Sequence, residues 1–528
     1  MMPPQQDDAL AVGRGLVTAP VHMSQVPAAP RAFAPVVAPL PPWIWITAIG
    51  MGLLGLGTPN PLLTAASFVV LPLLVTLLWR PGEPPILIMC SLMQWLQVVT
   101  PVFDADLQGV TLEVSSGVPT HDQATWLSLL GVLVMASGMR LALKHRLGSV
   151  APQIEQEFAA LDLPRVFAGY LVAFGLTTFC GYIAWQLGGL SQLVLAVGLL
   201  KWGMLWLLMC GALTQERRYD LIGFTLLLET CIGFIGFFST FKEAYFVLAL
   251  ALLTVRKRLT LLTRAALVLT GLVLLAFMIF WQAIKIEYRH FVSAGASDQS
   301  VRVGVEMRVA KLLSLAKNLD MAQIENGIVT LVARVGYTEL IAATMDWVPA
   351  QEPHSGGELW KRSVLHPLMP RLLFPNKEAI NDSEVARRFT GRILSGSEEG
   401  TSIGIGYIAE SYADFGRVGM LFPLFALGYV IGRLYRWLGF AGNSRIMGAA
   451  MAIAALFVCL QGIAIASAKL LGAVITASLI LGAINWLAGA RIVVLLGLAG
   501  RVSAHPAGLM KSVGKTEGAG ERHGVYSN

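Results

Sequence analysis

Arginines stand close together in the most polar part of the chain, at Arg371, Arg387, Arg388 and Arg392. Guanidinium groups bind phosphate through paired hydrogen bonds and stay charged beside lipid. The cluster therefore suits a lipid-linked diphosphate. The same spacing is also compatible with arginines that only contact water or lipid headgroups, and the residues alone leave both interpretations open.

Two other cations are candidates for the same work. Lys242 lies in FFSTFKEAYF, at a tight turn between two apolar runs, where a charge is costly unless it has a role. Its neighbour Glu243 offers a simple ion pair instead. Arg334 lies in VARVGYTEL on a predicted amphipathic helix, where surface arginines are common.

The same polar segment carries groups that could take up a proton. They are Asp382, Glu384, Glu398, Glu399, Glu410 and His366. Glu410 is our first choice because GYIAESYADFG leads directly into an apolar run, which predicts a position at the membrane surface. For each of these groups the alternative is an ordinary solvated side chain.

Charges elsewhere have structural explanations. Lys201 and Glu229 lie within apolar runs that are close in sequence, and opposite charges on neighbouring helices favour a structural pair. Asp104 and Asp106 form a short, isolated DxD, which we do not interpret as a metal site. The spacing of the five cysteines and eight histidines indicates no metal site, and the sequence contains no nucleotide-binding fingerprint.

The elements that position these residues are apolar. The chain has 528 residues, of which 55% are hydrophobic and only 13% charged, against about 25% charged in soluble domains. Its mean hydropathy is +0.66. This composition predicts an all-α polytopic membrane protein with about 12 transmembrane helices. The apolar runs cover approximately 43–58, 61–79, 84–103, 125–143, 166–187, 189–213, 219–238, 242–255, 265–283, 416–436, 446–466 and 468–489.

Short-loop charges predict the orientation. Lys and Arg concentrate after the even-numbered runs, for example at Arg140, Lys144 and Arg165, whereas the other short loops hold almost none apart from Lys242. Cytoplasmic loops are the basic ones, so both termini are expected in the cytoplasm. A net charge of +7 is ordinary for such a protein and indicates no nucleic-acid partner.

This orientation divides the chain into five parts. Residues 1–42 are predicted to be a disordered cytoplasmic tail without signal-peptide features, and 43–283 an N-terminal bundle of about nine spans. Residues 284–405 form one large extracytoplasmic loop, with amphipathic helices expected at 305–320 and 323–347. About three further spans occupy 406–489, and 490–528 is a second cytoplasmic tail.

Three strings within this plan resemble bacterial O-antigen and exopolysaccharide repeat-unit polymerases of the Wzy type. FFSTFKEAYFVLALALLTVRKR is similar to the family's basic residue at an outer helix start. VARVGYTELIAATMDWVPAQEP followed by LHPLMPRLLFPNK is similar to the family's segment that ends in a Pro-Arg-x-x-x-Pro-x-Lys pattern. TSIGIGYIAESYADFGRVGMLFPLFALGYVIGRLYRW resembles the stretch that enters the next span. Together they cover roughly a third of the chain. The Arg-x10-Gly pattern of some polymerases is not met at Arg388, where Glu399 replaces the glycine.

The resemblance implies a GT-C-like, inverting glycosyltransferase of the bacterial inner membrane that needs no metal or other cofactor. It would join undecaprenyl-diphosphate-linked oligosaccharides on the outer leaflet, with a chain-length regulator and an export complex as candidate partners. Cations would stabilise the charge on the leaving diphosphate. The residues assigned to this clamp are Lys242, Arg334, Arg371, Arg388 and Arg392. Glu410, and as second choice His366, would accept the proton.

Three other functions fit a chain of this kind. A transporter or flippase of lipid-linked oligosaccharides would carry intramembrane charges along a midplane path and internal repeats of about six spans. We find only Lys201 and Glu229 at such depth and no obvious similarity between the two halves. An O-antigen-type ligase would use the same chemistry, although His366 in LHPLMP does not clearly match the ligase histidine motif. A non-enzymatic subunit of an export complex would tolerate loss of every charged loop residue.

Overall fold

The apolar runs of the sequence form helices in the structure, which is a computed structural model. It describes residues 40–497 except 81–82, 144–150, 185, 256–259, 297–299, 370–373, 375, 378–379, 397–401 and 441–443. Within these ranges the chain is helical and contains no β-strand. Most of each predicted tail lies outside the described residues. Arg371, Glu398 and Glu399 also lie outside them.

Twelve α-helices precede the polar segment. They are α1 (Pro42–Gly55), α2 (Pro61–Leu78), α3 (Ile86–Gln108), α4 (Leu112–Ser116), α5 (His121–Leu143), α6 (Ala151–Ala159), α7 (Leu163–Ala184), α8 (Ser191–Gly198), α9 (Leu200–Gln215), α10 (Tyr219–Ile235), α11 (Lys242–Val255) and α12 (Leu261–Val292). A 3-10 turn at Gly188–Leu190 leads into α8.

Nine more α-helices follow. They are α13 (Val305–Lys317), α14 (Met321–Val335), α15 (Thr338–Trp347), α16 (Glu358–Leu368), α17 (Asp382–Thr390), α18 (Gly406–Gly419), α19 (Leu421–Phe440), α20 (Arg445–Leu456) and α21 (Ser467–Leu495). A 3-10 segment, Phe457–Ala464, joins α20 to α21. We call the end of the bundle where α13–α17 pack the loop face.

The helices are those of a polytopic membrane protein. In the part of the chain that the structure describes, eight helical segments are long and apolar enough to cross a membrane, or nine if the bent pair α14–α15 counts as one span. The expected number of about 12 is therefore not confirmed. The α1, α10 and α11 helices fall short because they have only 14, 17 and 14 residues. The α19 helix carries Arg433 and Arg436, which lower its hydropathy.

Small residues bring the central helices together. On α19, a Cβ atom at Gly428 would lie 2.0 Å from the carbonyl oxygen of Met135 on α5. A Cβ atom at Gly138 on α5 would meet the Phe425 carbonyl at 2.3 Å. Without a hydrophobic driving force between apolar helices in lipid, such close approach and the dispersion contacts that it allows hold spans together. The α5–α19 pair is thus fixed by glycine in both helices.

The second predicted amphipathic helix is broken in two. The expected continuous helix over 323–347 is wrong, because α14 and α15 meet at a bend of 59°. Gly336 lies at the break, where a Cβ atom would be 2.7 Å from the Pro101 ring. The backbone N–H of Tyr337 donates to the Gln97 carbonyl at 3.0 Å instead of continuing the helix. Contact with α3 therefore overrides the helical periodicity of the sequence.

Gly428→Ala should lower the free energy of unfolding by about 1–3 kcal/mol, because a methyl group inserted against a backbone oxygen forces α5 and α19 apart. Unfolding in detergent micelles measures it. The matched control is Gly175→Ala on α7, where a Cβ atom meets nothing within 4 Å. Equal stability of the two variants would contradict the packing described here.

Candidate functional site

Four cationic side chains from three helices gather at the loop face. Lys242 is the first residue of α11, Lys285 and Arg289 lie one turn apart near the end of α12, and Arg334 lies in the last turn of α14. Arg334 is close enough to each of the other three to repel it. We call these four residues the basic cluster.

The charge of the basic cluster is poorly balanced. No carboxylate of the described residues forms an ion pair within 4 Å of any of the four, although Glu243 attracts Lys242. Arg289 donates to the backbone carbonyl of Phe237 at 3.2 Å, and its guanidinium group lies over the aromatic ring of Phe237. Neutral partners leave the positive charge in place, so the cluster is suited to bind an anion.

Local structure explains why Arg334 reaches this cluster. The α14 helix starts with a capping box in which Asp320 accepts from the Gln323 N–H at 2.7 Å. It then crosses α12 closely at Gly327, where a Cβ atom would lie 2.9 Å from the Ile279 carbonyl. Arg334 ends up in the last turn of α14, where the helix dipole favours a cation.

Glu410 is buried on α18 beside polar side chains of α16 and α21, and we call these surroundings the Glu410 pocket. Its Oε2 accepts from the backbone N–H of Ser467 at 2.8 Å and from the Ser467 hydroxyl. The Ser467 and Ser363 hydroxyls are 2.6 Å apart. Gly406, with φ +83°, makes this approach possible, because a Cβ atom there would be 2.1 Å from the Ile463 carbonyl. The start of α21 is thereby held against α18.

Burial gives this carboxyl group an unusual proton affinity. Glu410 is only 6% exposed, and α18 is not one of the helices that qualify as membrane spans. Burial raises the pKa of Glu410 to about 7, against the opposing effect of the two Ser467 hydrogen bonds, and the charges of Asp382 and Asp414 raise it further. A carboxyl with this pKa can gain and lose a proton near neutral pH.

His366, the second choice for the proton acceptor, lies beside the same pocket. It is on α16, three residues after Ser363, and therefore on the same helix face. Its side chain is half-buried, and its backbone carbonyl accepts from the Lys377 ammonium group. The α16 helix packs along α21, which carries Ser467.

An ion pair borders the pocket. The buried carboxylate of Asp382, at the start of α17, lies 2.5 Å from the ammonium group of Lys469 on α21. Ser402 donates to Asp382 at 3.2 Å and accepts from Lys469 at 2.8 Å. This pair joins the loop helices to the last span.

Tyr337 connects the basic cluster to the carboxylates. It follows the last turn of α14, and the charges of Arg334, Asp382 and Glu410 all act on its hydroxyl group. Its hydroxyl donates to the carbonyl of Gly404. Tyr337 is therefore within electrostatic range of one cation of the basic cluster and of two buried acids.

Arg388 and Arg392 were expected to join the clamp, but the structure pairs both of them with carboxylates. Arg388 Nε lies 2.7 Å from Glu352, with Glu358 at 3.6 Å from Nη1, and Arg392 Nη1 lies 2.6 Å from Glu339. No contact among the described residues joins either arginine to the basic cluster. Acidic partners compensate their charge, because Arg388 on α17 and Arg392 just after it lie beside carboxylates of α15, of α16 and of the connection between these two helices.

The other charged candidates are structural. Lys201 and Glu229 form the expected pair at 3.0 Å within the bundle, and Tyr170 donates to the second oxygen of Glu229 at 2.7 Å. Asp106 accepts from the Asn60 side chain at 2.8 Å, which ties α3 to the start of α2. Asp104 accepts from Gln108 on its own helix at 2.8 Å.

Sequence reasoning missed half of the basic cluster. We expected the loop to begin near residue 284, whereas α12 continues to Val292 and carries Lys285 and Arg289. Their i,i+4 spacing, with Tyr288 between them, is typical of a helix and could have predicted that α12 continues past residue 284. Lys469 was also missed, because it stands at the start of an apolar run and looks like the edge of a span.

Comparison with known proteins yields one match. The sequence model of a family described as "Domain of unknown function (DUF8712)" matches residues 116–488, which is more than two thirds of the chain and includes the whole candidate site. No curated protein and no solved structure matches the chain.

Lys201→Met should lower the free energy of unfolding by about 3–5 kcal/mol, because it leaves Glu229 buried without a cation. Lys201→Met combined with Glu229→Gln should lose less than the single variant, since the amide keeps a partner in Tyr170 and carries no charge. Unfolding in detergent measures both. A double variant that is no more stable than Lys201→Met would show that the pair is not what holds these helices.

Proposed function

The chain belongs to the DUF8712 family, and we propose that it is a membrane glycosyltransferase that polymerises undecaprenyl-diphosphate-linked oligosaccharide repeat units into an exopolysaccharide or O-antigen. In this proposal the loop face is the outer face of the bacterial inner membrane, and both termini are cytoplasmic. The observation that supports it is the basic cluster, which has no ion-pair partner within 4 Å among the described residues and whose Arg334 acts on the same tyrosine, Tyr337, as Glu410.

The basic cluster would bind the diphosphate of the donor. In the reaction, the bond between the anomeric carbon and the diphosphate oxygen breaks, and its electron pair stays on that oxygen. Preorganised cations stabilise charge that develops there, and they act more strongly where water is excluded. Arg334 suits this role best, since it repels three other cations and a bound anion would relieve all three interactions.

Glu410 would act as the general base. The acceptor hydroxyl oxygen of a second repeat unit attacks the anomeric carbon from the side opposite the diphosphate, so the configuration inverts. Its proton passes to the ionised carboxylate of Glu410, whose Oε2 is oriented by Ser467. His366, one turn from Ser363 on α16, would be the alternative acceptor.

Arg334→Gln should reduce polymer formation about 10- to 100-fold, because charge-assisted hydrogen bonds contribute about 1.5–3 kcal/mol. The matched control is Arg388→Gln, which removes an arginine already compensated by Glu352. Gel analysis of surface glycans measures chain length in strains that carry each variant. Long polymer with Arg334→Gln, or equal loss in both variants, would contradict the assignment of the clamp.

A strain that lacks the protein separates the proposed polymerase from related functions. The proposal requires single repeat units on the surface lipid. Full-length polymer without its final acceptor would indicate a ligase, and loss of all exported glycan would indicate a flippase. Either result excludes the polymerase.

The rate of polymerisation should rise with pH through a midpoint of about 7, the pKa of Glu410. The carboxyl must be ionised to accept a proton, so its protonation on the acidic side stops the reaction. Purified protein with a lipid-linked substrate, assayed from about pH 5 to about pH 9, measures the profile. Glu410→Gln should abolish the reaction, whereas Glu384→Gln, at an exposed position of α17, should leave the profile unchanged. A flat profile would exclude Glu410 as the base.

A further inference from the structure

The α12 helix has few packing contacts with the rest of the protein along most of its length. Only 11% of its membrane window is buried inside the protein, against 56% for α3 and for α5. It packs mainly on α14 and, less extensively, on α13, both of which belong to the loop face. Residues nearer its start are exposed on several sides, including Val268 at 64% and Leu272 at 59%. The half of α12 that is remote from the loop face therefore stands clear of the other described helices.

The half of α12 nearer the loop face packs against aromatic rings. Phe234, at the end of α10, stacks on Phe241 with ring centres 4.3 Å apart, and Phe277 of α12 meets Phe234 edge-on at 5.3 Å. The Tyr288 hydroxyl donates to the carbonyl of Ile235 at 3.0 Å. The α12 helix is thus joined to α10 and α11 next to the basic cluster. We call the space beside the exposed half of α12, on the side of α10 and α11, the gap.

Helical spacing identifies the face of α12 that looks into this gap. The buried residues Trp281 and Tyr288 are seven positions apart and lie on the side of α10 and α11. Continuing the same stripe by steps of seven residues reaches Leu274 and then Leu267. Leu272 lies about 200° around the helix from Leu274 and faces the other way.

The two ends of this stripe differ in chemistry. Lys285 and Arg289 of the basic cluster stand on α12 just beyond the aromatic rings, and the gap before them is lined by aliphatic side chains. A ligand that fits both parts has an anionic head and a long apolar chain. Ordinary bilayer lipid matches the aliphatic part, but four cations without an ion-pair partner within 4 Å among the described residues call for the higher charge of a diphosphate.

We propose that the gap between α12 and the pair α10–α11 holds the isoprenoid chain of a polyprenyl diphosphate whose head is bound by the basic cluster. The inference rests on the proposed function and adds the path of the lipid. The substrate would enter sideways from the bilayer, past α12, and its glycan would then lie on the loop face near Tyr337.

Photo-crosslinking of the full chain tests this path. p-Benzoylphenylalanine replaces Leu274 or Leu267 on the inner stripe, or Leu272 or Leu269 on the opposite face of the same helix. Each purified variant is irradiated with undecaprenyl diphosphate, with and without excess inorganic pyrophosphate. Labelling several-fold stronger at 274 and 267 than at 272 and 269, and lost with pyrophosphate, is the expected result. Equal labelling of both faces, or crosslinking of position 274 to a second copy of the chain, would overturn the proposal.

The outcome stays separate from that of the proposed function. Lipid that labels both faces equally, together with loss of polymer in Arg334→Gln, rejects the path along α12 and leaves the polymerase in place. Specific labelling at position 274 that Arg334→Gln abolishes, together with normal polymer in that variant, supports the lipid site and rejects the polymerase.

Discussion

The repulsion among Lys242, Lys285, Arg289 and Arg334 is the constraint on which the loop face depends. Two like unit charges about 7 Å apart repel by about 2 kcal/mol at the effective dielectric constant of about 20 that applies near a protein surface. Arg334 repels each of the other three cations, and it has no carboxylate within ion-pair distance among the described residues. To hold these cations together against their repulsion, the fold must fix α11, α12 and α14 firmly. A bound anion offsets the repulsion.

The fixing comes from neutral contacts rather than from opposite charge. Gly327 lets α14 lie against α12, the bend at Gly336 turns α15 away along α3, and the rings around Phe234 hold α12 to α10. Elsewhere the structure compensates its charges: Lys201 meets Glu229 and Lys469 meets Asp382. The contrast suggests that the imbalance at the basic cluster is retained for binding, since the chain neutralises charges readily at other places.

The membrane class, the polar segment and half of the cluster could be predicted from sequence, because hydropathy and residue type depend on local composition. The distribution of the arginines between two environments could not. Arg388 and Arg392 looked the most phosphate-like by spacing, yet Glu352 and Glu339 approach them through tertiary contacts that no local pattern encodes. Lys285 and Arg289 were hidden because the end of α12 depends on packing against α14 and not on hydropathy. The depth of Glu410 likewise follows from the close approach at Gly406.

The most direct measurement is an experimental structure of the protein in a lipid nanodisc with a non-hydrolysable undecaprenyl diphosphate bound. The account predicts phosphate density within about 3 Å of the Arg334 guanidinium, with Lys242, Lys285 and Arg289 around it. Diphosphate density at Arg388 and Arg392, with the Arg334 side chain turned away from it, would contradict the account.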